Sequence, residues 1–139
     1  MIAEKNKYSF RKVIAIEDTK IDQYIIENTM KKCNFSENLV LLGSANEALT
    51  LFETINGNDE ELPELIFLDI QMPRMNGFEF LATMNEKFGR LKDKISVVLL
   101  TSSLDPIDKA NSIAFPNVKL YINKPLNIEK LGKVTEMFC

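Results

Sequence analysis

The residue best placed to take part in chemistry is Asp69, which follows four consecutive apolar residues at positions 65–68. Such a run is typical of a strand that is buried on both faces of a sheet, and Pro73 and Gly77 indicate a loop shortly after it. Asp69 should therefore lie at the carboxyl end of a central strand, where open α/β sheets bind their ligands. The alternative is that its carboxylate only caps the loop that follows.

Three other predicted strands also end in polar residues. Because the carboxyl ends of parallel strands meet at one edge of a sheet, we expect these residues to converge with Asp69 in space. They are Glu17 with Asp18, Thr101 with Ser102, and Lys124.

This combination of side chains points to a particular chemistry. Three carboxylates in one pocket repel one another unless a cation lies among them, and hard oxygen ligands suit Mg²⁺. A lysine and a threonine hydroxyl beside them could bind the oxygens of a phosphoryl group that the metal also holds. The set predicts a phosphoryl-transfer site in which Asp69 is the nucleophile and the protein mainly positions groups and neutralises charge.

The elements that must position these residues alternate between strand and helix five times. This alternation favours an α/β fold, a parallel sheet with helices on both faces, because each parallel crossover needs a helix. The predicted strands cover residues 12–16, 39–42, 65–68, 95–100 and 118–122, and helices follow them at 20–33, 44–55, 80–88, 105–113 and 127–138.

Helix caps support these assignments. Ser44 and Glu47 have the spacing of a capping box, Asp105 precedes a proline at the start of the fourth helix, and Asn127 is placed to cap the last one. The fourth helix has only a short apolar stripe, made of Ile107, Ala110 and Ile113.

The composition excludes several functional classes. The 139 residues are 45% hydrophobic and carry a net charge of −3. Acidic and basic residues are interspersed, so the sequence has no basic stripe that could bind nucleic acid. No apolar run is long enough for membrane insertion and no signal peptide is present, so we expect a cytoplasmic protein. Histidine is absent, which excludes histidine-dependent nucleophilic catalysis and the common zinc sites.

We expect Cys33 and Cys139 to be free thiols, and the acidic run at 59–61 to be part of a solvated loop over 56–64.

Four segments of this sequence resemble those of the receiver domain of bacterial two-component response regulators. The resemblance extends from about Lys12 to the C-terminus, so we expect one receiver domain over 1–139, with its core at about 12–138 and no output domain. The segments are Ile16-Glu17-Asp18, Leu68 to Gly77 (Leu-Asp-Ile-Gln-Met-Pro-Arg-Met-Asn-Gly), Leu100-Thr101-Ser102 and Tyr121-Ile122-Asn123-Lys124-Pro125.

The resemblance implies a flavodoxin-like, doubly wound, five-stranded parallel sheet with strand order 2-1-3-4-5 and five helices. It also implies that Asp69 accepts a phosphoryl group from a sensor histidine kinase or a histidine phosphotransfer protein. Mg²⁺ would be held by Asp18, Asp69 and the backbone carbonyl of Gln71, and Glu17 would act directly or through water.

Further roles follow from the same resemblance. Lys124 would pair with the phosphoryl oxygens, and Thr101 would donate its hydroxyl to them. Gln71 and Ser103 would tune dephosphorylation, and Thr101 with Tyr121 would couple the site to an output surface. The sequence is thus expected to be a switch that phosphorylates and dephosphorylates itself, rather than a turnover enzyme, and that signals to an unidentified downstream protein.

The sequence departs from the family pattern at three places. Glu17 stands where the family often has Asp, the loop over 56–64 is longer than is common, and Ala114 to Asn117 replaces the usual Gly-Ala before the last strand. The bond between Lys124 and Pro125 is expected to be cis, as it usually is in the family.

Two other functions compete with this interpretation. One is a pseudo-receiver that acts as a phosphorylation-independent interaction scaffold. The other is a phosphatase with an aspartyl nucleophile, as in the haloacid dehalogenase family. That family has a second Asp two residues after the nucleophile, where this sequence has Gln71.

Overall fold

The computed structural model describes residues 7–138, so Cys139 and the first six residues lie outside the described part of the chain. A five-stranded parallel sheet with strand order β2-β1-β3-β4-β5 is flanked by five α-helices, which confirms the predicted fold. The strands are β1 (Phe10–Ile16), β2 (Ser36–Leu42), β3 (Leu65–Leu68), β4 (Ser96–Thr101) and β5 (Val118–Asn123). The helices are α1 (Lys20–Lys32), α2 (Ala45–Ile55), α3 (Gly77–Lys87), α4 (Pro106–Ser112) and α5 (Ile128–Phe138).

The core is divided between the two faces of the sheet, with the central strand β3 contributing to both. Ile66 and Leu68 pack on one face with apolar residues of α2 and α3, and Leu65 and Phe67 pack on the other face with those of α1 and α5. All four side chains of β3 are buried because strands flank it on both edges and helices cover both faces. Asp69 directly follows this strand, which lies at the centre of the sheet.

Hydrogen-bonded caps fix where the helices begin. Asn127 accepts from the backbone N–H of Lys130 at 2.8 Å, as expected. Ser44 accepts from the N–H of Glu47, but the Glu47 carboxylate accepts from the N–H of Gly43 at 3.1 Å, so the reciprocal contact reaches one residue further back than in a capping box. A complete capping box, not foreseen from the sequence, is present at the start of α3, between Asn76 and Glu79.

The short helix α4 has its apolar stripe on the molecular surface. Asp105 caps it as expected, accepting from the N–H of Ile107 at 3.0 Å. The predicted apolar stripe faces solvent, because Ile107 is 65% exposed, Ile113 is 83% exposed and Ala110 is also exposed. Of the residues of this two-turn helix, only Ser112 is buried, so its apolar side lies on the molecular surface.

The loop over 56–64 is a surface connection, as predicted. Its acidic run forms a short 3₁₀ turn over Asp59–Glu61, and Leu62 anchors the loop in the core. Asp59 pairs with Arg90 at 3.2 Å and with Lys94 at 2.6 Å on the surface, so these two cations balance its charge without a metal.

The thiol of Cys33 is free, and burial raises its pKa. Within residues 7–138, none of the helices combines the length and apolarity needed to cross a bilayer.

Gly77 allows α3 to begin against the backbone of Asp69. Its N–H donates to the carbonyl of Ile70 at 2.9 Å. A Cβ atom at this position would lie 2.6 Å from the carbonyl oxygen of Asp69 and 2.9 Å from the Cα of Ile70. Since both neighbours are backbone atoms, they cannot move aside as a flexible side chain would.

We therefore expect Gly77→Ala to lower the free energy of unfolding by roughly 1–3 kcal/mol, the usual cost of forcing an atom into a packed site. The matched control is Gly132→Ala in α5, where an added Cβ meets nothing within 4 Å. That change should raise the free energy of unfolding by about 0.5–1 kcal/mol, because alanine favours a helix over glycine. Urea unfolding measures both, and a Gly77→Ala variant as stable as the wild type would contradict the close approach.

Candidate functional site

The carboxyl edge of the sheet brings the predicted reactive residues together. Asp69 donates its N–H to the carbonyl of Ile16 at 3.1 Å, and Lys124 donates its N–H to the carbonyl of Thr101 at 2.8 Å. These bonds continue the parallel ladders just beyond β3 and β5. The backbone positions of Asp69 and Lys124 are thus fixed by the neighbouring strands β1 and β4.

Glu17, Asp18 and Asp69 form an acidic cluster at this edge. One oxygen from each carboxylate lies within 4.8 Å of the others, and no other group of three such ligands occurs within the described residues. Glu17 is 1% exposed and Asp69 is 4% exposed, so water screens their charges poorly. The cluster predicted from two separate segments is therefore present, with Glu17 and Asp69 buried and Asp18 half-buried.

Asp69 responds strongly to this environment. Burial and the neighbouring charge of Glu17 raise its pKa from 3.8 to about 7, and Asp18 acts in the same direction. Lys124 and a hydrogen bond from the N–H of Gln71 to Oδ1 of Asp69, at 3.1 Å, oppose the increase in pKa. Asp69 is thus poised between a protonated and an ionised carboxyl near neutral pH.

The cluster fits a small, hard cation. Oδ1 of Asp18 is buried and accepts no hydrogen bond from the described residues, so it has a lone pair available for a ligand. The ligand atoms of the cluster are all carboxylate oxygens, which Mg²⁺ prefers. A cation among them would also remove the repulsion that raises the pKa of Asp69.

Lys124 links the cluster to helix α1. Its ammonium group lies 2.6 Å from Glu17, 2.8 Å from Asp22 and 3.5 Å from Asp69. Burial alone would lower the pKa of Lys124, but Asp22 and Glu17 raise it well above its ordinary value. Lys124 is therefore a fixed positive charge at the site, held in a cis peptide with Pro125 as expected.

Thr101 is fully buried at the end of β4. Its hydroxyl oxygen accepts a hydrogen bond from the N–H of Ser103 at 3.0 Å. Because that bond uses only a lone pair, the hydroxyl proton of Thr101 remains free to be donated to another oxygen.

The other predicted residues surround the site less closely. Gln71 is exposed, and its side-chain oxygen is 3.4 Å from the hydroxyl of Ser102. The Ser103 hydroxyl donates to Asp108 of α4 at 2.6 Å instead of pointing freely at the cluster. Tyr121 packs against the core with its hydroxyl buried, which raises its pKa.

Asp22 is the residue of this site that the sequence analysis missed. It lies in the first turn of α1, where a carboxylate is equally well explained by the helix dipole. Its position could have indicated its role in the site. Asp22 lies about one helical turn beyond Glu17 and Asp18, on the helix that starts from the same edge of the sheet.

Comparison with known proteins settles the family. A family model described as the response regulator receiver domain matches residues 13–136. The chain belongs to this family. The acidic cluster, Thr101 and Lys124 all lie within the matched part of the receiver domain.

Individual relatives agree with this assignment. A two-component response regulator from Cytophaga hutchinsonii has a crystal structure 29% identical to this receiver domain, with a TM-score of 0.85 over 92% of this chain and 96% of that one. Rcp1 of Synechocystis is 29% identical over 89% of this chain and 83% of its own length. The Mn(2+)-bound form of Rcp1 is 25% identical and has a TM-score of 0.69, over 92% of this chain and 91% of that one. A phosphorylated cyanobacterial phytochrome response regulator, RcpA, is 26% identical with a TM-score of 0.71, over 93% and 91% of the two chains.

The raised pKa of Asp69 predicts how stability depends on pH in the absence of divalent cations. Below pH 3.8, Asp69 is protonated in the folded and the unfolded state, so its charge does not affect folding. Above pH about 7 it is ionised in both states, and only the folded state bears the cost of a buried charge. Wild-type stability should therefore fall relative to Asp69→Asn as the pH rises through this window.

In EDTA, we expect the stability of Asp69→Asn relative to the wild type to be greater at pH 8 than at pH 4 by up to about 4 kcal/mol, because one unit of pKa shift corresponds to about 1.4 kcal/mol. Thermal unfolding at both pH values measures the difference. Asp93→Asn, at an exposed position, is the control for loss of one charge and should show no such dependence. The same stability difference between wild type and Asp69→Asn at both pH values would contradict the buried-charge argument.

Proposed function

We propose that this receiver domain is a two-component response regulator that accepts a phosphoryl group on Asp69 and signals by phosphorylation-dependent protein binding. The observation that carries the proposal is the position of the Asp69 carboxylate between the carboxylates of Glu17 and Asp18 and the ammonium group of Lys124, 3.5 Å away. The same carboxylate can thus face a cation and a fixed positive charge. This arrangement suits a nucleophile that must approach an anionic phosphoryl group.

The proposed reaction begins with a phosphohistidine on a sensor histidine kinase or a histidine phosphotransfer protein. An oxygen of ionised Asp69 attacks the phosphorus, an O–P bond forms, and the P–N bond to the histidine breaks. The histidine nitrogen keeps the bonding electron pair. In this chain, Lys124 then pairs with the phosphoryl oxygens, and Thr101 donates its free hydroxyl proton to one of them.

Mg²⁺ would be held by Asp18, Asp69 and the backbone carbonyl of Gln71, with Glu17 contributing directly or through water. When bound, the ion would neutralise charge on the phosphoryl oxygens. The buried, unpaired oxygen of Asp18 supports this assignment, as does the Mn(2+)-bound form of the relative Rcp1. Keeping Asp69 ionised at neutral pH, against its raised pKa, also requires a nearby positive charge.

The proposed return reaction is hydrolysis. A water molecule attacks the phosphorus in line, the O–P bond to Asp69 breaks, and inorganic phosphate leaves. Gln71 is our first candidate for tuning this step because its side chain is exposed beside Asp69. Ser103 is the second, and its hydroxyl would have to exchange its 2.6 Å bond to Asp108 for a contact with the water.

The central prediction is a single phosphorylation at Asp69. With Mg²⁺ and acetyl phosphate, intact mass spectrometry should show one added phosphoryl group, which EDTA prevents and Asp69→Asn abolishes. Asp93→Asn is the matched control and should be phosphorylated like the wild type. An unchanged wild-type mass with several phosphodonors would favour the alternative of a phosphorylation-independent scaffold.

Signalling is proposed to pass from Thr101 to the face formed by α4, β5 and α5. Ser103 connects these parts, because its N–H donates to the Thr101 hydroxyl and its carbonyl accepts from the side chain of Asn123 at 3.1 Å. A phosphoryl group adds about −1.5 to −2 charge, and Thr101 would move to bond it. That movement would vacate space beside Tyr121, which is packed inward in this structure. The exposed Ile107 and Ile113 provide apolar contact area for a partner on the same face.

This route predicts long-range changes in the backbone amide NMR spectrum. Adding beryllofluoride, a phosphoryl mimic, to the wild type should shift amides throughout residues 105–130. Thr101→Ala should confine the shifts to the loops around Asp18 and Asp69, while Ser102→Ala, at the exposed neighbouring position, should behave like the wild type. A full switch takes up to about 5.5 kcal/mol, so several contacts must change together. If the amides of residues 105–130 do not shift in the wild type, this output face is ruled out.

A further inference from the structure

The lysine that must meet the phosphoryl group is held in this structure by a carboxylate outside the acidic cluster. Lys124 lies 2.8 Å from Oδ2 of Asp22 and 3.5 Å from Oδ2 of Asp69, and 102 residues of sequence separate the first pair. The ammonium group is therefore held between Asp22 and Glu17, which lies 2.6 Å away, while it stands further from Asp69. Asp22 belongs to α1, so its carboxylate attracts the ammonium group of Lys124 toward that helix.

A second contact fixes Asp22 in place. The hydroxyl of Thr19 donates to Oδ2 of Asp22 at 2.9 Å, and the N–H of Asp22 donates back to that hydroxyl at 3.3 Å. The bonded oxygen is the one that accepts from Lys124. Burial raises the pKa of Asp22, but these bonds from Lys124 and Thr19 outweigh burial and lower it, so the carboxylate is ionised at neutral pH.

We propose that Asp22 is a positioning residue that restrains Lys124 in the unphosphorylated state and thereby opposes phosphorylation of Asp69. This inference rests on the proposed function. To pair with phosphoryl oxygens on Asp69, the ammonium group must shift toward Asp69 against the attraction of Asp22. The ionised Asp22, whose side chain is 30% exposed, also repels an anionic phosphodonor at the edge of the site. Both effects act in the same direction.

The test compares Asp22→Asn with the wild type. Asparagine keeps an oxygen for the Thr19 hydroxyl but removes the negative charge, so the variant should fold and hold Lys124 less tightly, with Glu17 as its remaining close partner. We expect the second-order rate constant for phosphorylation by acetyl phosphate to rise about fivefold, which corresponds to the interaction free energy of a partly exposed ion pair. The gain should lie in a lower half-saturating donor concentration more than in a higher maximal rate. Beryllofluoride should bind more tightly by a similar factor, which amide NMR titration measures without any phosphoryl transfer.

Two further variants separate this role from general effects. Asp22→Glu restores the charge and should return both readouts toward the wild type. Glu27→Gln removes one charge from the same helix at a residue that pairs with Lys31 and not with Lys124, and it should match the wild type. Circular dichroism and the thermal midpoint establish that each variant is folded.

The outcomes are distinct. A fivefold gain in Asp22→Asn, reversed in Asp22→Glu and absent in Glu27→Gln, would support the inference. Unchanged or slower phosphorylation of folded Asp22→Asn would overturn it, as would an equal gain in Glu27→Gln, which would indicate only a loss of net charge. If the wild type accepts no phosphoryl group from any donor, the proposed function itself fails and this inference falls with it.

Discussion

The contact of one ammonium group with several buried carboxylates is the interaction on which the rest of this structure depends. Glu17, Asp18, Asp22 and Asp69 supply four negative charges if all are ionised, and Lys124 supplies one positive charge. Removing such charges from water is costly unless they are paired, and Lys124 pairs with Glu17, Asp22 and Asp69. It leaves an excess of negative charge, and burial together with this excess raises the pKa of Asp69.

That excess connects the fold to the function we propose. The apolar strand β3 and the tight start of α3 at Gly77 fix the backbone of Asp69 beside Glu17 and Asp18, so the three carboxylates repel one another when ionised. A cation or a proton can relieve this repulsion. A site with an excess of negative charge is suited to binding a cation together with a phosphoryl group. A site whose charges were already neutralised would attract neither group strongly.

The strands and the main site residues could be predicted because buried apolar runs and parallel topology leave few alternatives. Glu17, Asp69 and Lys124 each directly follow a strand, and Thr101 is the last residue of one, so the sheet determines where they lie. The role of Asp22 could not be predicted, since a carboxylate in the first turn of a helix is compatible with a cap, a dipole contact or an ion pair. The exposure of the apolar side of α4 could not be predicted for a similar reason. The periodicity of Ile107 and Ile113 indicates an apolar side, but not whether anything covers it. The offset contact of Glu47 depends on which of two adjacent N–H groups its carboxylate reaches, which residue spacing does not determine.

The central claim is that the excess charge at this edge creates a cation site that includes Asp69. Isothermal titration calorimetry with Mg²⁺ tests it most directly when repeated at pH 7 in two buffers of different ionisation enthalpy. The account predicts one Mg²⁺ per chain with release of part of a proton, because binding ionises a carboxyl whose pKa is about 7. It also predicts weaker binding by Asp18→Asn. Absence of binding, or the same affinity in Asp18→Asn with no proton release in the wild type, would contradict it.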